Sequence, residues 1–110
     1  STAEGWKHQV AIAARDHLPQ QPADGPVRLS IDFLFARPQR LRRKRDSAER
    51  IPHTSKPDRD NLEKAVADAL TSIRFFVDDS RVYAGEVRKF YVSLAERAGA
   101  EIQLSWSTGE

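Results

Sequence analysis

The feature that most restricts how this chain can fold is a pair of acidic clusters set on either side of one amphipathic helix. Asp58 and Asp60 stand two residues apart in Lys56-Pro57-Asp58-Arg59-Asp60-Asn61-Leu62-Glu63-Lys64, and Asp78-Asp79 follows downstream. Between them Leu62, Val66, Ala69, Leu70 and Ile73 recur at three- and four-residue intervals, which lays a single apolar stripe along a helix. Lys56 precedes a proline, so the chain arrives at Asp58 extended, and Asp58 or Asp60 is placed to cap the helix. Side chains two apart in an extended segment point to the same side, so the two carboxylates can converge. A helix of about 12 residues rises about 18 Å, and an extended stretch from Ile73 to Asp79 reaches back roughly 23–25 Å. The return therefore closes only if that stretch runs nearly straight and antiparallel to the helix. Asp78 and Asp79 then point to opposite sides, and one of them joins the cluster. Lys64, four residues past Asp60, lies on the same helical face.

Carboxylates brought this close repel by about 4 kcal/mol per pair at 4 Å and an effective dielectric near 20. Such a cluster persists when a member stays protonated or when cations neutralise it. The chain has no cysteine, so thiolate sites and disulfides are excluded. Oxygen ligands in small number suit Mg²⁺, or Mn²⁺ in its place, with several waters retained. An ion of that kind polarises a phosphodiester oxygen and acidifies a bound water for in-line attack. An ammonium beside it, as Lys64 offers, stabilises the charge that develops on phosphorus or orients the water.

The remaining sequence predicts one small α+β domain over residues 1–110. Ser1-Thr2-Ala3-Glu4 reads as a capping box, and Trp6, Val10, Ala13, Ala14, His17 and Leu18 recur at helical spacing through about residue 18. Val27, Leu29, Ile31, Phe33 and Phe35 alternate with Arg28, Ser30, Asp32 and Leu34, giving a strand with one apolar face. Residues from Val82 to Val92 have strand composition broken at Gly85, where a bulge or turn is expected. Ile102, Leu104 and Trp106 give a last strand, expected to pair with its predecessor as a hairpin. The prediction is a mixed or antiparallel sheet with two flanking helices.

The net charge of +2 conceals a strong asymmetry. Arg37, Arg40, Arg42, Arg43, Lys44 and Arg45 crowd one stretch too charged to bury, which predicts a loop that contacts an anionic backbone without reading sequence. Lys56 and Arg59 add positive charge around the acidic pair. His53, just upstream, is a weaker candidate for approaching the site. No apolar run approaches a membrane span and no signal-peptide pattern opens the chain. With the missing cysteines, this fits a cytoplasmic protein.

At these motifs the sequence resembles the RusA family of Holliday junction resolvases, also called crossover junction endodeoxyribonucleases. The family pattern, approximately (K/R)-x-D-x-D-N-L-x-K-x-x-x-D-A-L and then an aromatic-rich turn and D-D-x-x-V, stands here as Lys56 to Leu70 and Phe75-Phe76-Val77-Asp78-Asp79-Ser80-Arg81-Val82. The resemblance implies a Mg²⁺-dependent homodimer that resolves four-way DNA junctions by paired nicks, with a role in recombination and repair. It maps the metal ligands onto Asp58, Asp60 and Asp79, and the catalytic lysine onto Lys64. Family members usually begin with a strand and a Pro/Asn/Tyr-rich loop, and this chain starts at the helix that follows them. Two other functions use the same residues: a nuclease acting on flaps or forks, and a non-catalytic nucleic-acid-binding module whose carboxylates only cap and form salt bridges.

Overall fold

A computed structural model of the chain describes residues 3–42 and 49–107. They form helix α1 (Ala3–Ala14), strand β1 (Val27–Phe35), strand β2 (Ile51–Pro52), helix α2 (Arg59–Ser72), strands β3 (Val82–Ala84) and β4 (Val87–Tyr91), and strand β5 (Gly99–Trp106). The predicted capping box lies largely outside the described residues. The first helix closes with a 3-10 turn at Arg15–His17. Its buried stripe is shorter than its spacing predicts: Trp6 and Val10 are buried, whereas Ala13, His17 and Leu18 are exposed.

β1 is the centre of a five-stranded mixed sheet. Val27, Leu29, Ile31 and Phe33 are each at most 1 % exposed, because this face is covered by the apolar stripes of both helices. Leu62, Val66, Ala69 and Leu70 of α2 join Trp6 and Val10 of α1 in one core with them. Trp6 stands edge-on to Phe33 and Phe35, with ring centroids 5.4 and 5.9 Å apart. These aromatics fill the core, as their patterning predicts. The opposite face of β1 carries Arg28, Ser30 and Asp32 and stays polar.

One edge of β1 is shared by two short parallel partners, β3 at Val27–Arg28 and β4 from Ile31 to Phe35. Gly85 separates them with φ of 139°. A Cβ there would lie 1.7 Å from the carbonyl oxygen of Leu29, so the predicted break is one that only glycine fits. The predicted terminal hairpin is corrected by the structure. β5 runs antiparallel along the other edge of β1, from Val27↔Trp106 to Leu34↔Gly99. The outer edge of β4 is taken by β2. Val92 donates to Phe35 O, and the turn at Ser93–Glu96 follows, as the chain passes from one side of β1 to its free edge.

Candidate active site

The segment leading into α2 is stitched onto β4. Ile51 and Pro52 pair with Tyr91 and Phe90, and His53 N–H donates to Lys89 O at 3.0 Å. His53 itself packs between Phe35 and Tyr91, with centroids 4.2 and 4.6 Å away. Burial, and then the Lys89 cation, lower its pKa from the ordinary 6.5. It is a core aromatic with no place in the acidic cleft. Asp58 follows as the N-cap residue of α2, extended at φ −69° and ψ 148°. Its main-chain carbonyl accepts from Leu62 N–H at 3.2 Å, yet its carboxylate accepts no capping hydrogen bond. Asp60 sits in the first turn.

The far end of α2 closes on Arg74, which adopts φ 65°. Arg74 N–H donates to Thr71 O and Phe75 N–H to Leu70 O, the pairing of a Schellman motif, whose apolar contact joins the residues bracketing it. Phe75 and Phe76 are buried, and hydrogen bonds from Ala23 N–H to Phe75 O and from Val77 N–H to Ala23 O hold the returning chain in place. Asp78 turns aside: Ser80 lowers its pKa, first through its side chain and then through its main-chain N–H, which donates to the carboxylate at 2.9 Å. Asp79 opens the next 3-10 turn. Arg81 anchors that turn by donating to the Asp24 carboxylate at 2.9 Å and to the Asp24 carbonyl at 2.8 Å.

This arrangement brings Asp60, Lys64 and Asp79 to one cleft of about 290 Å³, walled by Leu29, Ala67 and Val82. Glu63 lines it too. Sequence reasoning passed over Glu63, although its position three residues after Asp60 puts it on the same helical face. Asp58 is not part of that lining. Lys64 is largely exposed and pairs at 3.4 Å with Asp68 on the next turn, an i,i+4 pair of the kind worth about 0.3–0.5 kcal/mol. Among the described residues, nothing hydrogen-bonds to or pairs with the carboxylates of Asp58, Asp60 and Asp79.

Among the described residues no three His, Cys, Asp or Glu side chains stand close enough together to hold a metal ion. What the cleft offers is two uncommitted aspartates, Glu63 and an ammonium. Such a donor set fits a hard cation that keeps several waters and is completed by phosphate oxygens, rather than a closed protein cage.

The basic residues divide by burial. Arg37 is 3 % exposed, and its guanidinium donates to the carbonyls of Val92 at 2.6 Å, Leu41 at 3.0 Å and Glu49. The expectation that Arg37 grips DNA is therefore corrected: its guanidinium is buried and its donors are spent on main-chain carbonyls. Arg40, Arg42, Lys56 and Arg59 are exposed. Arg42 makes a 3.3 Å bond to Arg37 O and Arg59 a 3.4 Å bond to Val87 O. Arg43, Lys44 and Arg45 lie outside the described residues.

Comparison with known proteins gives a consistent result. The family described as endodeoxyribonuclease RusA matches residues 1–105. The chain is 35 % identical over 91 residues to the uncharacterized protein YqaN of Bacillus subtilis (strain 168), which covers 78 % of this chain and 63 % of that protein. It is 36 % identical over 64 residues to crossover junction endodeoxyribonuclease rusA of Lactococcus phage r1t, covering 58 % of this chain and 44 % of the phage protein. In both comparisons the match spans less than two thirds of the relative's length.

Proposed function

We propose that this chain, which belongs to the RusA endodeoxyribonuclease family, is a divalent-metal-dependent nuclease that hydrolyses phosphodiesters in four-way DNA junctions during recombination and repair. The observation that carries this reading is the meeting of Asp60, Asp79 and Lys64 on one cleft, with both aspartates left unbonded among the described residues. A chain that used its carboxylates only to cap and brace would have committed them.

Asp60 and Asp79 would hold Mg²⁺, or Mn²⁺ in its place; Asp58, which the family resemblance makes a third ligand, does not line the cleft. The bound ion supplies a Lewis acid for a phosphoryl oxygen and a more acidic water. Lys64 gives up its weak pair with Asp68 and places its ammonium beside the phosphate, where it stabilises negative charge that grows in the transition state. Glu63 adds negative charge at the mouth of the cleft, which raises the local concentration of cations. Arg40, Arg42, Lys56 and Arg59, with the Arg43–Arg45 run, hold the flanking phosphates without selecting sequence. The working form in this reading is a homodimer in the cytoplasm, whose twofold axis matches that of the junction and yields paired cuts.

A crystal of the chain soaked in Mn²⁺ tests the metal assignment. Anomalous density between Asp60 and Asp79 is the expected outcome. A fully occupied Mn²⁺ elsewhere, with this cleft empty, would overturn it.

A further inference from the structure

The cover over the sheet gives out at β5. Ala100, Ile102, Leu104 and Trp106 pair with Phe33, Ile31, Leu29 and Val27 of β1. Those four β1 residues are each at most 1 % exposed, whereas their β5 partners are only half-buried. Paired residues project to the same face, so a single strand spacing separates full cover from partial cover. Beside β5 the apolar layer opens into a groove of about 460 Å³, lined by Val10, Ala13 and His17 and by Ile102, Leu104 and Trp106. Among the described residues no strand pairs with the outer edge of β5. The usual protections of such an edge are missing as well. β5 is eight residues long, keeps unbroken register with β1 and holds neither lysine nor proline. Its one charged side chain, Glu101, is paired with Arg50 at 3.2 Å.

We infer that this edge is taken by β5 of a second copy of the chain, paired antiparallel about a twofold axis at Gln103. A strand that meets itself about a twofold must be self-complementary, and β5 is so in this register. With Gln103 opposite its own equivalent, Ile102 faces Leu104, Glu101 faces Ser105 and Trp106 faces Ala100 of the second copy. The large indole thus meets a methyl group, and the acid meets a hydroxyl. Centring the pair on Glu101 sets two carboxylates face to face, which disfavours it. Centring it on Ile102 leaves Trp106 opposite Ala98, beyond the end of the strand. The inner side chains of the added strand close the groove, and the two sheets become one. β5 lies across β1 from β3, which carries Val82 of the acidic cleft, so the pairing leaves both clefts open. This names the contact surface of the homodimer in the nuclease reading above and rests on that reading, yet its test needs neither metal nor DNA.

Sedimentation equilibrium of the full chain, in chelator and without DNA, measures the dimer dissociation constant. Gln103→Lys and Gln103→Glu each set like charges across the axis and are expected to weaken the dimer about fivefold. An equimolar mixture of the two pairs Lys with Glu, and native mass spectrometry should show the heterodimer above its statistical share. Because the chain has no cysteine, single cysteines report the register. Gln103→Cys should form a disulfide-linked dimer under mild oxidation, since directly opposite Cα atoms stand within the span of a disulfide. Glu101→Cys should not, because its two equivalents lie roughly 14 Å apart along the strands. Circular dichroism confirms that each variant is folded. A wild type that stays monomeric at its highest soluble concentration overturns the pairing. So does a dimer unmoved by the Gln103 substitutions, or one crosslinked as readily through Glu101→Cys. None of these results touches the metal cleft, which stands or falls by its own Mn²⁺ test.

Discussion

Arg37 and Arg40 are three residues apart in the same basic stretch, and their environments assign them opposite roles. Arg37→Ala removes a buried guanidinium and the donor of the buried Val92 carbonyl and should cost roughly 1–3 kcal/mol in urea denaturation. Arg40→Ala should leave stability unchanged and lower the slope of log affinity against log salt for DNA by about 1. Composition could not separate the two, because burial of a guanidinium depends on carbonyls contributed by Val92 and Glu49, distant in sequence. Arg74 gives a prediction of opposite sign. A non-glycine residue at φ 65° is strained, so Arg74→Gly should stabilise the fold by about 0.5–1 kcal/mol. Of the acidic residues, Asp60 and Asp79 line the cleft and Asp58 does not. The Asx-type bond of Asp78 to Ser80 N–H explains why Asp79 is the member of the pair that reaches the cleft.

At the level of elements, α2 and β1 could be read from the sequence because each carries its own periodicity and its own punctuation. The strand order could not. β1, β4 and β5 each have apolar faces that would suit a hairpin between the last two, and the alternative is decided by which edge is vacant. β2, only two residues long, occupies the edge of β4 and leaves β5 to the far side of β1. The polar face of the sheet adds a pH-dependent tie between these strands. Arg50 donates to Glu96 at 2.7 Å and also reaches Glu101 and Asp32. The hydrogen bond from Arg50 is the main reason the Glu96 carboxyl is held down at about 2, against an ordinary value of 4.5. A carboxyl depressed in the folded state contributes stability above its unfolded value, and that contribution is lost as pH falls through the folded one. Glu96→Gln should therefore flatten the fall in stability between pH 4.5 and about 2, measured by denaturation at stepped pH. Gly85 is the other structural hinge of this layer. Gly85→Ala forces a Cβ onto Leu29 O and should destabilise the sheet by about 3 kcal/mol or more.

For the molecule as a whole, the polar sheet face, the helical layer and the acidic cleft divide the work. The helices and β1 make the core. The chain then returns through Phe75 and Phe76 and brings Asp79 to the cleft that Asp60 also lines. The sequence did not reveal that Asp58 would stand outside the cleft lining. The chain leading to Asp58 is held by bonds from Lys89 to the carbonyls of Ser55 and Pro57, contacts that no local pattern encodes. No described helix is long and apolar enough to cross a membrane, and the exposed Arg59 shares a neighbouring hollow with Glu63 of the acidic cleft. The most direct measurement is cleavage of an end-labelled four-way junction in Mg²⁺ by the wild-type chain and by Asp79→Asn. The wild type should give symmetric nicks that disappear with a chelator, and the variant should bind the junction within about threefold of wild type yet cut at least about 100-fold more slowly. Cleavage by Asp79→Asn at the wild-type rate would contradict the assignment of this cleft as the site of hydrolysis.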